Sequence, residues 1–257
     1  MARVQALILR APGTNCDEET AFAFEQAGAV TYRVHVNRLI RHEESLASYQ
    51  ILVIPGGFTY GDDISAGKVL ANELRLKLGE DIRRFVSQGG LVLGICNGLQ
   101  VLVKAGILPE MSNGKEQAVT LAPNDSGRFE CRWVYLKVNQ DSPCIFTKGI
   151  SRLYLPVANG EGKVVATKEA LANLNIVLSY IDEHGHANAG YPHNPSGSMA
   201  DIAAICDGSG RIFALMPHPE RHIRGTQHPR WTREGAKEHG DGFKIFQNSV
   251  SWAEKLL

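Results

Sequence analysis

Three short segments of this chain place side chains where nucleophilic catalysis would need them. Gly94-Ile95-Cys96-Asn97-Gly98 puts a cysteine between glycines two residues to either side, with an apolar run before it and a helical pattern after it. This is the strand–turn–helix elbow that presents a nucleophile, with Cys where many hydrolases place Ser. The flanking glycines leave room for a strained central residue, and a sulfur at a helix N-terminus meets unpaired N–H groups that favour the thiolate. Free cysteines are more often small buried hydrophobes, but the elbow context favours the nucleophile for Cys96.

A thiolate needs a base, and the base needs a group to orient it. Met216-Pro217-His218-Pro219-Glu220 follows the apolar run Ile212–Leu215. The two prolines restrict the backbone around His218, and residues i and i+2 of an extended segment point the same way, so Glu220 can reach the imidazole. The other histidines have weaker settings. His184 and His186 fall in a loop, His35 near a strand end and His239 in a polar tail. The His218–His222 spacing resembles a metal pair, but Pro219 interrupts a helix there and no Cys or carboxylate completes a ligand set, so no metal is expected. Pro55-Gly56-Gly57-Phe58 is a strand exit whose backbone N–H groups, together with that of Asn97, could form an oxyanion hole worth about 3 kcal/mol in a transition state.

The elements around these residues alternate. Apolar runs at Val4–Leu9, Ile51–Ile54 and Leu91–Ile95 read as buried strands, Val30–Val36 reads as a further strand, and helical spacing marks Glu18–Ala27, Leu70–Val86 and Asn97–Ala105. Strands that are apolar throughout and separated by helices imply a parallel sheet covered on both faces. Ligands of such open sheets bind beyond the C-terminal ends of the strands, which is where all three segments fall. Beyond Pro109 the pattern turns to alternation at Phe129–Val138, Lys163–Ala166 and Ile176–Asp182, read as antiparallel strands added to one sheet edge. His184–Met199 is a loop, Ile202–Cys206 and Ile212–Leu215 are strands, and Phe243–Leu257 is a closing helix. The expected fold is therefore α/β, a flavodoxin-like open and mostly parallel sheet with helices on both faces and antiparallel edge strands. Residues 1–257 are read as a single domain with an extended polar tail from about 223.

Composition removes several classes of function. The 257 residues include 27 basic and 27 acidic side chains, a formal net charge of zero, which argues against a nucleic-acid surface. No apolar run approaches the roughly 18 residues that cross a bilayer, and the N-terminal stretch lacks the pattern of a secretory signal. Five cysteines with no C-x-x-C spacing fit neither a disulfide scaffold nor a zinc ribbon. A reducing, cytoplasmic setting is the expectation.

Taken together, Gly94-Ile-Cys-Asn-Gly-Leu-Gln100, Pro55-Gly-Gly57 and His218-Pro-Glu220 resemble the three signatures of class I (Cys-His-Glu) glutamine amidotransferases. Further segments narrow the resemblance to the glutamine amidotransferase subunits of phosphoribosylformylglycinamidine synthase. They are Ala11-Pro-Gly-Thr-Asn-Cys-Asp17, Gly56-Gly-Phe-Thr-Tyr-Gly-Asp-Asp63, Asn124-Asp-Ser-Gly-Arg-Phe-Glu-Cys-Arg132 and Asn194-Pro-Ser-Gly-Ser-Met-Ala-Asp-Ile-Ala203. The match runs over about residues 1–222.

The resemblance implies that Cys96 attacks the glutamine side-chain amide, that His218 moves the protons, and that Glu220 holds the histidine tautomer. Gly57 and Asn97 would supply the oxyanion N–H groups, while Gly56, Gln100, Arg128 and Phe129 would help hold glutamine. Cys16, a second thiol without an elbow, reads as structural or as support for the glutamine site. The chain has no phosphate-binding loop and no room for an ATP domain. The resemblance therefore places no cofactor here, and puts ATP and Mg on a separate synthetase subunit, with a small third subunit in the same complex. Two features depart from the family. Asn159 stands in Pro156-Val-Ala-Asn-Gly-Glu-Gly162 where many members carry His, and Asn cannot titrate. The tail beyond His222, with His228-Pro-Arg-Trp231, is longer than in compact members and could pack on the synthetase or elaborate the surface. Two other readings stand beside this one, a Cys-elbow hydrolase or peptidase of the same fold and a catalytically silent binding subunit. Intact Cys96, His218 and Glu220 speak against the second.

Overall fold

The computed structural model describes residues 3–110, 117–188 and 190–257. Met1, Ala2 and position 189 of the His184–Met199 loop lie outside the described residues. The chain runs β1 (Gln5–Arg10), α1 (Asp17–Gln26), β2 (Val30–His35), α2 (Val36–Ile40), β3 (Ile51–Ile54), α3 (Lys68–Glu73), α4 (Gly79–Ser87), β4 (Leu91–Ile95) and α5 (Asn97–Lys104). It continues through β5 (Val119–Ala122), β6 (Glu130–Val138), β7 (Arg152–Asn159), β8 (Lys163–Ala166), α6 (Lys168–Asn173), β9 (Asn175–Ile181), β10 (Ile202–Cys206), β11 (Ile212–Leu215), α7 (Trp231–Glu234) and α8 (Phe243–Ala253).

Nine strands form one sheet in the order β2-β1-β3-β4-β11-β10-β9-β6-β7. The first five are mutually parallel, and β10, β9, β6 and β7 continue antiparallel. Every residue of β3, β4, β10 and β11 is buried, so both sheet faces are covered, as the unbroken apolar runs require. Phe24 of α1 meets Phe246 of α8 edge-to-face at 5.0 Å in one of the covering layers. Because β1, β3, β4 and β11 are adjacent and parallel, their C-terminal ends deliver four consecutive loops to one edge. Ile54 lies opposite Gly94 and Leu215 opposite Ile95, which sets Gly56, Cys96 and His218 side by side.

The structure amends the sequence reading in several places, among them the unforeseen β5 and α6. Leu70–Val86 is not one helix, since a wide π-type turn over Leu74–Leu78 separates α3 from α4. Gly79, a poor helix former, opens the second piece, and the offset keeps Leu70, Leu74, Leu78 and Ile82 on the buried side. Lys163–Ala166 is a strand, but it pairs with β5 in a separate two-stranded sheet rather than with the main edge. Alternation reports that a strand is half-buried and says nothing of its partner. Strand β7 was not anticipated because Pro156 interrupts it, yet it is the outermost strand of the order, where proline is tolerated.

The free side of β7 is covered by the chain's own tail. His218 N–H donates to Pro156 O at 2.8 Å, Tyr154 N–H to Asp241 Oδ2 at 2.9 Å, and His222 Nδ1 lies 2.8 Å from Tyr154 O. Trp133, Tyr154, His222 and His228 pack their rings around this seam. The tail thus protects a sheet edge that would otherwise expose unpaired backbone groups.

Gly98 shows how tightly the site is seated. A Cβ at this position would stand 2.0 Å from Ile54 O, so β3 and α5 meet only because no side chain intervenes. Gly98→Ala is expected to lower stability by about 3 kcal/mol through overpacking, read as a shift of the urea midpoint with an unchanged slope.

Candidate active site

Cys96 links β4 to α5 with φ 50° and ψ −101°. A non-glycine residue there stores about 1–3 kcal/mol of strain and persists only where the surroundings enforce it. Gly94 and Gly98 make the enforcement possible, because a Cβ on Gly94 would lie 2.6 Å from Leu102 Cδ1 and 2.9 Å from the Gly98 backbone. Cys96 N–H donates to Leu215 O at 2.8 Å, and the thiol points toward Ala158 O of β7 at 3.7 Å. The sulfur sits at the opening of α5, where the first N–H groups have no partner within the helix.

His218 and Glu220 are both about 1% exposed. Nδ1 of His218 lies 2.6 Å from Glu220 Oε1, while Nε2 is buried without a protein partner among the described residues. Burial alone would depress the imidazole's proton affinity. The Glu220 carboxylate, followed by Cys96, outweighs this, and the His218 pKa is held well above its ordinary value. Such an arrangement fixes the tautomer with Nδ1–H on the carboxylate and frees Nε2 for a neighbouring thiol.

The turn after β3 lies against the opening loop. Asn15 and Cys16 donate to Gly56 O at 3.4 and 3.2 Å, and Phe58 N–H donates to Gly13 O at 2.9 Å. Gly57, at φ 152°, leaves no space for a side chain, since a Cβ would stand 2.7 Å from Gly13 O. The Gly57 N–H makes no backbone hydrogen bond among the described residues, and the Asn97 N–H opens α5. Both are free to receive an anion. The Asn97 side chain is already committed, accepting from Thr59 Oγ1 at 2.7 Å and donating to Gln100 Oε1 at 2.8 Å.

A cleft of about 310 Å³ opens in front of Cys96, lined among others by Gly57, Asp62, Gln100, Phe129, Asn159 and Glu161. Phe58 and Phe129, both about half exposed, stand 6.4 Å apart between ring centroids at its rim. Behind the cleft wall, buried Lys104 pairs with Glu161 and donates to Ala66 O at 2.8 Å. Burial pushes the Asp62 carboxyl above its ordinary range. A depression of about 340 Å³ around Leu39, His42, Arg84 and Phe85 holds no cysteine, and its Ser45 hydroxyl caps a turn by accepting from Ala47 N–H, so the chemistry belongs to the smaller cleft.

The structure brings Cys96, His218, Gly56, Gly57 and Asn97 to one strand edge, with Glu220 directly behind the histidine. Gln100 lines the cleft, but its amide is held on both sides, Nε2 donating to Glu161 O and Oε1 accepting from Asn97. It is therefore placed to shape the wall. Phe129 lines the cleft, whereas Arg128 is exposed and outside the lining. Asn159 is buried and donates through Nδ2 to Asn124 Oδ1 at 3.0 Å, a role that needs no titration. Sequence reasoning missed Thr59, Asp62, Lys104 and Glu161. The lysine closing the apolar Val101–Val103 run was the available signal, since a cation at the end of so buried a helix requires a partner.

Among the described residues, Cys16, His218 and Glu220 bring possible metal-ligand atoms within 4.8 Å of one another. Arg221 Nη2, however, donates to Cys16 Sγ at 3.1 Å, and Glu220 already holds His218. A guanidinium in contact with one of the would-be ligands opposes a cation, and no metal is assigned to this group.

Comparison with known proteins shows what the whole chain is similar to. Residues 3–253 match the CobB/CobQ-like glutamine amidotransferase domain. A phosphoribosylformylglycinamidine synthase subunit PurQ from Dehalococcoides mccartyi is 60% identical over 257 residues, covering 100% of each chain. A PurQ from Methanococcus maripaludis is 43% identical over 268 aligned positions, covering 98% of each. Among solved structures, a chain of PurLQS from Thermotoga maritima superposes with a TM-score of 0.75 at 31% identity, covering 98% of this chain and 99% of that one.

The raised affinity of His218 has a consequence for stability. A histidine whose folded-state pKa lies above its unfolded value contributes stability that is complete below the unfolded pKa and is lost as pH rises through the folded one. Glu220→Gln removes the main source of that rise. The difference in unfolding free energy between the unaltered chain and Glu220→Gln should be widest near about pH 6 and shrink as pH climbs above about 6.5, measured by urea unfolding across pH. A difference independent of pH would refute the charged pair.

Proposed function

The chain belongs to the CobB/CobQ-like glutamine amidotransferase family, and from that membership and the geometry of its site we propose that it is the glutaminase subunit of phosphoribosylformylglycinamidine synthase. It is an enzyme of purine biosynthesis, and it works with a synthetase subunit. The observation that carries the catalytic assignment is the buried imidazole itself. Its Nδ1 is occupied by Glu220 and its Nε2 is open, and it stands one strand from a cysteine held in a strained elbow.

In this reading the Cys96 thiolate adds to the side-chain amide carbon of glutamine. Negative charge collects on the amide oxygen, and the Gly57 and Asn97 N–H groups receive it without reorganising. His218, protonated through Nε2, passes its proton to the departing nitrogen, so ammonia leaves and a glutamyl thioester remains on Cys96. Neutral His218 then takes a proton from water, the resulting hydroxide opens the thioester, and glutamate leaves. Glu220 supports the imidazolium formed on the way. Phe129 bounds the glutamine backbone groups and Gln100 shapes the cleft wall, whereas Gly56, closed in by Cys16 and His218, and Arg128 both lie outside the cleft lining. Asp62 and Glu161 bring carboxylates to a cleft that must accept an α-ammonium group.

Ammonia then passes to the synthetase subunit, which amidates formylglycinamide ribonucleotide at the expense of ATP. ATP and Mg belong to that subunit, because this chain carries no phosphate-binding loop. A small third subunit completes the complex. No helix among the described residues is long and apolar enough to cross a membrane, consistent with a cytoplasmic site of action.

The test separates ammonia production from ammonia use. In the complex, Cys96→Ala should lower glutamine-dependent amidation by roughly 10³-fold or more, while amidation from added ammonium stays within about twofold of the unaltered complex. Loss of both activities would show that Cys96 is not confined to making ammonia.

A further inference from the structure

A second thiol lies against the catalytic histidine and takes no part in the steps above. Cys16 sits just before α1 and is 1% exposed. A point one Cβ bond from Gly56 lies 3.0 Å from Cys16 Sγ and 2.9 Å from His218 Cε1. The sulfur and the imidazole edge therefore close around the bare Cα of residue 56. The Cys16 thiol donates to Asn15 Oδ1 at 3.1 Å, and with Glu220 and Cys96 it helps hold the His218 pKa above its ordinary value against the opposing effect of burial.

The sulfur also accepts from Arg221 Nη2 at 3.1 Å. The same guanidinium places its Nε 3.8 Å from Glu220 Oε1 and 4.0 Å from Glu19 Oε1. Glu220 has a second oxygen, Oε2, buried and without a partner among the described residues. Arg221 thus approaches the same oxygen, Oε1, that orients His218, on a carboxylate with acceptor capacity to spare. A bidentate arginine–carboxylate contact is the stronger arrangement where geometry allows it, yet Arg221 lies 3.1 Å from Cys16 Sγ and 3.8 Å from Glu220 Oε1.

We propose that Cys16 and Arg221 form a positioning pair for His218, in which the Cys16 sulfur borders the imidazole and retains Arg221 so that the Glu220 carboxylate stays committed to His218 Nδ1. The inference rests on the amidotransferase reading for its kinetic consequences but not for its geometry. With the sulfur removed, the guanidinium closes on Glu220, draws its charge away from the imidazole and weakens the imidazolium partner of the Cys96 thiolate.

Two measurements test the pair, glutamine turnover by the complex and alkylation of Cys96 by iodoacetamide as a function of pH in the full chain, with a Cys96→Ala control to identify the site. Cys16→Ala should lower kcat for glutamine about tenfold, leave KM within about twofold, and move the alkylation limb of Cys96 upward by about one pH unit. Cys16→Ser, whose hydroxyl both donates and accepts, should keep kcat within about threefold and leave the limb in place. In Cys16→Ala/Arg221→Gln the competing cation is gone, and the limb should return toward its original position, a non-additive response that a purely structural role cannot produce. An unshifted limb in Cys16→Ala, equal losses in the Ala and Ser variants, or additive effects in the double variant would each overturn the proposal. Absence of glutamine turnover in the unaltered complex would instead overturn the amidotransferase reading, since alkylation needs no glutamine.

Discussion

A buried contact of 2.6 Å between His218 Nδ1 and Glu220 Oε1 is the constraint around which the rest is arranged. Two titratable groups withdrawn almost completely from water cost several kcal/mol each to bury as charges, and their mutual attraction offsets this only with good geometry. A hydrophobic pair of similar size would stabilise the fold as well or better. The sequence retains the costly pair, and the unpartnered Nε2 shows what it offers in return. The imidazole has one side fixed and the other open toward a thiol, which is what proton transfer requires.

Holding that imidazole depends on both halves of the sheet. The parallel half delivers Gly56, Cys96 and His218 as three strand exits on one edge, the common logic of open α/β folds. The antiparallel half is less obviously needed, yet Pro156 O pins the His218 backbone, Ala158 O meets the Cys96 thiol, and Asn159 and Glu161 wall the cleft. All four lie on β7 or the turn that leaves it. The added strands are therefore part of the site, and the tail that covers β7 protects the element against which the base is braced.

How much of this could be read from the residues alone follows from the range of each interaction. The elbow at Cys96 and the His218–Glu220 spacing are local patterns, and local patterns survive in a one-dimensional text. The parallel strands were legible because burial on both faces leaves an unbroken apolar run. Strand β7 was hidden, since Pro156 argues against a strand until the position is known to be an edge. The β5–β8 pair was half legible, its alternation visible and its partner not. Lys104 with Glu161, and Cys16 with Gly56, His218 and Arg221, join residues far apart in sequence. No spacing rule reports such contacts. Gln100 lies between the two cases, since the matched motif position does line the cleft but both ends of its amide also hold protein partners.

The distribution of glycines ties these points together. At Gly56, Gly57, Gly94 and Gly98 a Cβ would stand 3.0 Å or less from a neighbouring atom, and each of these near-contacts joins two different strand exits or a strand exit to a helix. Gly56 separates Cys16 from His218, Gly57 meets the opening loop, and Gly94 and Gly98 let α5 descend onto β3 and β4. Catalytic geometry here is set by how closely backbones approach, and only then by which side chains they carry. It follows that the nucleophile's strained φ is sustained by packing on all sides. The approaches at Gly94 and Gly98 bear on the elbow directly, while those at Gly56 and Gly57 seat His218 and the opening loop beside it.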